Sequence, residues 1–320
     1  MSTPKRRMRD AFLQVIKDRM GAESDIFFLT GDFGSPVLDG VRRDFADRFL
    51  NVGIAEQNLV NVATGLALEG YRVIAYAIAP FITMRCLEQI RINLAILSQV
   101  RPMNVTLVGV GAGYSYEVSG PTHQALEDMA LMRALPNIGV WSPADAATAA
   151  AMANRALDTP GVRYVRLDSH PLPDLGPAPT PQELQCGFRL GGTTGAAAAL
   201  VSTGYLSHLA AGVRDELEAG GLPILTVDMM DLAHADMTEL TTALAPCRNI
   251  LTMEEGFIGC GGMDALLMLH AAPRLPKAKW AHAGLQPHYH FEIGPRDALL
   301  AAQGISRSAL AARMIELINR

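Results

Sequence analysis

One carboxylate, Glu56, stands where chemistry would need it. It lies in NVGIAEQN, residues 51–58, ahead of a segment that runs apolar as LVNVATGLALEG. The spacing of Leu59, Val62, Ala63, Leu66 and Ala67 predicts a largely buried helix that stops at Gly70. A carboxylate in the first turn complements the positive end of the helix dipole. The same group can instead serve a site on the loop. Position alone leaves both readings open. His123, in a Gly-Pro turn, offers an imidazole that either faces a cleft or caps its own helix start. Arg166 ends a β-branched strand, as an anion clamp or as half of a strand-end ion pair. Ser35, Ser119 and Thr122 add hydroxyls, and Phe81 adds an aromatic wall.

The elements that must position these groups alternate. DIFFLTGD, YRVIAYAIA, MNVTLVGVG, IGVWSP and VRYVRL read as strands. Between them the Glu56 segment, MRCLEQIRINLAIL, HQALEDMALMRAL and ADAATAAAMANRALD read as helices. That alternation implies an α/β fold with a parallel sheet covered on both faces. Sites in such sheets form on the loops that leave the carboxyl ends of the strands, and each candidate above sits on such a loop. Five prolines between 171 and 185 read as an extended linker. The pattern then restarts with AAAALVSTG, YLSHLAAGVRDELEAGG, LPILTVDMMDL, NILTMEEG and GGMDALLML. The expected organisation is a first domain over 1–172, a linker over 173–187 and a smaller parallel-sheet domain over 188–320.

With 320 residues, 49% hydrophobic and 18% charged, the chain can bury a large core and does not read as disordered. The net charge is −5, and the basic residues cluster only in KRRMR near the start, which reads as a solvated tail. Aromatic and basic residues do not interleave as a nucleic-acid platform requires. No apolar run reaches membrane-spanning length, and no signal peptide opens the chain. Cys86, Cys186, Cys247 and Cys260 form no CxxC pair, which points to free thiols in a reducing compartment such as the cytoplasm. The histidines of HAGLQPHYHF match no familiar metal-ligand spacing.

NVGIAEQN, GPTHQALEDMALMRALPN and SPADA together resemble the pyrimidine-binding half of transketolase and of 1-deoxyxylulose-5-phosphate synthase. VDMMDL and TMEEG resemble their C-terminal domain. The resemblance covers nearly the whole chain in the family's order. It implies thiamine diphosphate as cofactor, with Ile54, Glu56 and Phe81 at its aminopyrimidine. Glu56 would bond the ring nitrogen opposite the amino group, so that the amino nitrogen can take the proton from the thiazolium carbon. Phe81 would stack on the ring. The cofactor then carries the carbanion chemistry while the protein supplies position and electrostatics. His123 would face the sugar, and Ser35, Ser119 and Arg166 fall at substrate-contacting places.

The family's magnesium ion needs a GDG motif and a following Asn, which hold the cation and the diphosphate by oxygen ligands. TGDFGSP and LDGVRR do not supply this. The resemblance therefore implies one subunit of a split transketolase, inactive alone. The partner subunit would carry Mg2+ and the diphosphate-binding domain, in a heterotetramer with two copies of each. Where the family has a His early in the substrate loop and an Asp before GPTH, this chain has Gly111 and Ser119. Both changes put ordinary pentose phosphates in question and point to a modified, branched, sulfonated or phosphorylated sugar. Alternatives are the beta subunit of a 2-oxo acid dehydrogenase, an acyloin-forming enzyme like the deoxyxylulose synthase, and a non-catalytic homologue. Joint retention of Glu56, Phe81 and His123 argues against the last.

Overall fold

Strands covered on both faces read as unbroken apolar runs, because neither face meets water. IFFLT, RVIAYAI and NVTLVGV are such runs, and they form the centre of a six-stranded sheet in the computed structural model, which describes residues 4–320. All six strands are parallel. Their order is Phe49–Asn51, Ile26–Thr30, Arg72–Ile78, Asn104–Val110, Gly161–Leu167, Ile138–Trp141. On one face, helices Met8–Ala22 and Ala146–Asp158 pack Phe12, Ile16, Ala149 and Ala153 over Phe28, Ile74 and Val108 of the sheet. On the other, helix Glu56–Leu68 buries Leu59, Ala63 and Ala67, with Val62 and Leu66 half-buried against the same core. Gly70, at φ 93°, takes the left-handed conformation that ends this segment.

The second sheet has five strands, in the order Lys279–Leu285, Asn249–Phe257, Ala198–Ser202, Ile224–Met229, Phe188–Gly192. Four are parallel; Phe188–Gly192 pairs antiparallel with Ile224–Met229 and closes one edge. The two sheets are tied directly. Trp141 Nε1 donates to Asp231 Oδ2 at 3.0 Å, Ser142 N to Met230 O at 2.9 Å and Leu232 N to Val140 O at 2.8 Å.

Three expectations are corrected. The Pro-rich segment is not simply extended. Pro171–Leu172 pairs with Arg6–Arg7, and Thr180 and Glu183 form a capping box around helix Pro181–Cys186, whose proline occupies a first-turn position where no N–H is needed. The basic cluster KRRMR is not a free tail for the same reason: Arg6–Arg7 is paired, and Met8 starts a helix with its side chain buried. The helix expected from His123 starts only at Asp128. Ala125 instead exchanges backbone hydrogen bonds with Gly113, both at 3.1 Å, so residues 123–127 serve a loop-to-loop contact.

Candidate active site

The corner holding Glu56 is assembled by short-range geometry. Asn51 ends its strand, and its side-chain oxygen accepts from Gly53 N at 2.9 Å and Asp32 N at 3.1 Å, while its amide donates to Asp32 Oδ1 at 2.9 Å. One amide thus fixes both the NVGIAE and TGDFGS loops. Gly53 at φ 76° and Asp32 at φ 59° are the left-handed positions this fastening needs. The chain then enters helix Glu56–Leu68 with Glu56 as its first residue, 2% exposed. Gly31 sits so close that a Cβ there would lie 3.5 Å from Glu56 Cγ.

Burial demands a partner for this carboxylate, and Arg85 supplies it, with Nη1 2.6 Å from Glu56 Oε2. Phe81–Arg85 is a widened π-type turn that opens the helical run after strand Arg72–Ile78. Such turns recur at functional sites. Here it folds the Arg85 guanidinium back over its own Phe81 ring, 4.5 Å from the centroid. The same ring meets His123 edge-on at 5.2 Å. A cavity of about 360 Å³ opens beside this corner, lined among others by Ile54, Glu56, Asn61 and Arg85. Ile54 is 76% exposed at its rim. Burial pushes the Cys86 thiol up to about 12, with the Glu56 charge adding to it, so this cysteine is a packed neutral neighbour of the site.

His123 is half-buried, and its Nδ1 is 2.9 Å from the hydroxyl of Thr122. Tyr116 lies edge-on to it at 6.4 Å. Ser119 is exposed on the turn between them, its N–H bonded to Tyr116 O at 3.1 Å. The Gly111 position, at φ 103°, is filled from outside: the Tyr116 ring occupies the space that a Cβ would need. A histidine at 111 and a tyrosine at 116 in this pose exclude each other.

Two predicted residues are placed differently. Arg166 is not an open anion clamp. It is 3% exposed, with Nε and Nη2 bonded to the two Asp128 oxygens at 2.9 and 3.2 Å and Nη2 also reaching Ala125 O at 3.2 Å. Tyr164 adds its hydroxyl to Asp128 at 2.7 Å. The strand-end position fits two roles, and the buried carboxylate at the start of helix Asp128–Arg133 decided for the ion pair. Ser35 is buried, and its Oγ accepts from Leu38 N at 3.3 Å as the cap of helix Pro36–Asp44. Its hydroxyl proton is not used in that bond.

Arg9, Tyr76 and Tyr116 form a cluster that pattern reading did not single out. Arg9 Nε donates to Asp10 at 2.8 Å, and the guanidinium charge acts on both tyrosines. Burial pushes the Tyr116 hydroxyl up to about 12, while Arg9 draws it back. The buried Tyr76 hydroxyl has no hydrogen-bond partner among the described residues. Arg9 belongs to KRRMR, where the run of exposed basic residues masked the one charged member held against the fold. Among the described residues no group of three His, Cys, Asp or Glu side chains is arranged to hold a metal. No helix among them is long and apolar enough to cross a membrane.

With this geometry in place, comparison places the chain. Residues 4–173 match the family described as transketolase, pyrimidine binding domain. The chain belongs to the transketolase family of thiamine diphosphate enzymes. It is 28% identical over 275 residues to one subunit of the apulose-4-phosphate transketolase of Actinobacillus succinogenes, spanning 84% of each chain. A solved split-gene transketolase, described as an inactive beta4 tetramer, superposes with a TM-score of 0.82 at 26% identity over 98% of both chains. The transketolase of Campylobacter jejuni shares the fold with a TM-score of 0.79 at 17% identity, and this chain spans 97% of its own length but 46% of that one.

Proposed function

We propose that this chain is the C-terminal-half subunit of a two-subunit transketolase that moves a ketol unit from a ketose to an aldose phosphate. The observation that carries it is the chain of contacts that runs from Glu56 through Arg85 and Phe81 to His123. The Arg85 guanidinium donates to the buried carboxylate and lies over the ring at the same time. A flat N–H-bearing heterocycle such as an aminopyrimidine makes those two contacts, so the residues present fit thiamine diphosphate. Glu56 would hold the pyrimidine nitrogen, Phe81 its face and Ile54 its edge. The bound cofactor supplies a carbon nucleophile that can carry the ketol unit. Glu56 would keep a proton in place on the heterocycle, and His123 would bond or relay a proton at the sugar's carbonyl and hydroxyls.

Ser35 and Ser119 are the remaining sugar contacts in this reading, and Tyr116 over Gly111 shapes the donor side for a modified, branched, sulfonated or phosphorylated ketose. Arg9 supplies cationic charge on the same side. The diphosphate and Mg2+ belong to a second subunit, in a heterotetramer with two copies of each. The likeness to one subunit of an apulose-4-phosphate transketolase and to a split-gene transketolase supports this arrangement. The working division is a pyrimidine-binding domain over 1–172, a connecting segment over 173–187 and a C-terminal domain over 188–320. The free thiols suit a cytoplasmic enzyme.

The test is co-expression with a partner that carries the diphosphate-binding domain. Light scattering should give the heterotetramer, and only the pair should transfer a ketol unit. In that complex, Glu56→Gln should slow proton–deuterium exchange at the thiazolium carbon by at least about a hundredfold while assembly survives. Full exchange in an assembled Glu56→Gln complex, or an active chain on its own, overturns the reading.

A further inference from the structure

The loop that carries His123 is finished by side chains from the other end of the chain. Glu255, on strand Asn249–Phe257, and Arg296, the first residue of helix Arg296–Ala302, are both buried. Arg296 Nε donates to Glu255 Oε1 at 2.9 Å, its Nη2 bonds the other Glu255 oxygen and its Nη1 bonds Asp168, just past strand Gly161–Leu167. The guanidinium also lies 3.7 Å over the Tyr205 ring. One planar cation therefore joins two carboxylates from two sheets, a geometry that suits Arg and not Lys.

What this knot grips is backbone. Tyr114 N donates to Glu255 Oε1 at 3.1 Å, and Arg296 Nη2 reaches Ala112 O at 3.4 Å. From the same segment Arg296 N donates to Glu117 Oε2 at 2.6 Å and Gly294 N to Glu117 O at 3.2 Å. Gly113, at φ 58°, lets the Glu255 carboxylate lie against the chain, because a Cβ there would overlap it. The grip passes on to the site. Gly113 and Ala125 exchange backbone bonds at 3.1 Å, and Ala125 is two residues beyond His123.

We propose that Glu255 and Arg296 are positioning residues for the reaction: through the backbone of 112–117 they set where His123 meets the sugar, and the C-terminal domain thereby acts on sugar turnover. This rests on the ketol-transfer reading. It also separates two functions within one site, because Glu56 and Phe81 do not touch the knot.

The experiment uses Arg296→Lys, Arg296→Met and, from the loop side, Gly113→Ala, in the reconstituted complex. Each should lower kcat/KM for ketol transfer by about ten- to a hundredfold, as small misplacements of a reacting group do. Exchange at the thiazolium carbon should stay within about twofold of the wild type. Arg296→Lys should recover part of what Arg296→Met loses. Amide hydrogen exchange over residues 111–123 of the full chain should quicken by at least about tenfold in all three. Unchanged transfer in the folded variants overturns the proposal, as does thiazolium exchange that falls in step with transfer. A wild-type complex without ketol transfer refutes the functional reading instead, and the amide exchange then decides the clamp by itself.

Discussion

Phe81 meets His123 directly and Glu56 through Arg85, yet the two loops that present Glu56 and His123 are held by different means. The Glu56 corner uses local devices: the Asn51 amide, left-handed residues at 32 and 53, and a π-type turn that brings Arg85 across. Its outer wall is Ile54 and the 43% exposed side chain of Arg85, so the corner stays open to a second surface. The His123 loop is fastened from outside. Asp128 and Arg166 lock its exit from below, and Glu255 with Arg296 lock its entry from the second sheet. A corner built from local devices stays open to solvent, whereas a loop clamped through buried charges is held in a fixed register.

The largest separation of the two regions should come from His123→Ala. Turnover in the complex should fall by about two to four orders of magnitude, the range for a positioned acid–base group, with cofactor affinity and thiazolium exchange unchanged. Steady-state kinetics beside cofactor titration checks this. Intact turnover would reduce His123 to a loop-end structure and dissolve the contrast.

Next in size is the buried pair beneath the loop. Asp128→Asn leaves the Arg166 guanidinium without its counter-charge at 3% exposure, which should cost about 3–5 kcal/mol in urea unfolding. Glu56→Gln, on the open side, should cost far less stability than that. Equal costs would mean that the two regions are equally stapled.

The clamp-bearing strand carries a pH signature as well. Burial, reinforced by Asp264, pushes the Glu254 carboxyl from 4.5 up to about 7. The folded chain thus holds a proton that the unfolded chain has released, so this stabilisation is complete below about pH 4.5 and is lost as pH rises through 7. The unfolding free energy from urea titrations should fall by roughly 1–3 kcal/mol between pH 5 and 8 in wild type, and Glu254→Gln should flatten that slope. A wild-type slope that survives in Glu254→Gln assigns the effect to another group.

The smallest effect sharpens the open side. Ser35→Ala removes the cap of helix Pro36–Asp44 and should cost about 1 kcal/mol of stability. If the hydroxyl also meets the sugar, the KM for the sugar should rise severalfold with kcat held; a KM unchanged from wild type leaves Ser35 a cap alone.

Periodicity in the sequence determined five strands of the first sheet and three of the second, the apolar helix behind Glu56 and its stop at Gly70, because buried strands and helices announce themselves in which residues avoid water. The edge strands Phe49–Asn51, Phe188–Gly192 and Lys279–Leu285 did not stand out. That Glu56, Phe81 and His123 lie on loops of one sheet edge was also legible, since each follows a strand of one parallel sheet. The fates of the charged side chains were not legible. Arg166 and Arg296 are both arginines near element ends, and nothing local tells that one meets Asp128 38 residues away and the other Asp168 128 residues away. A buried ion pair is decided by which carboxylate the closed fold places within about 3 Å, and that distance exists only once both sheets have packed. The same holds for Tyr116 over Gly111 and for Arg85 between Glu56 and Phe81: the residue types come from the sequence, and their contacts come from the tertiary structure.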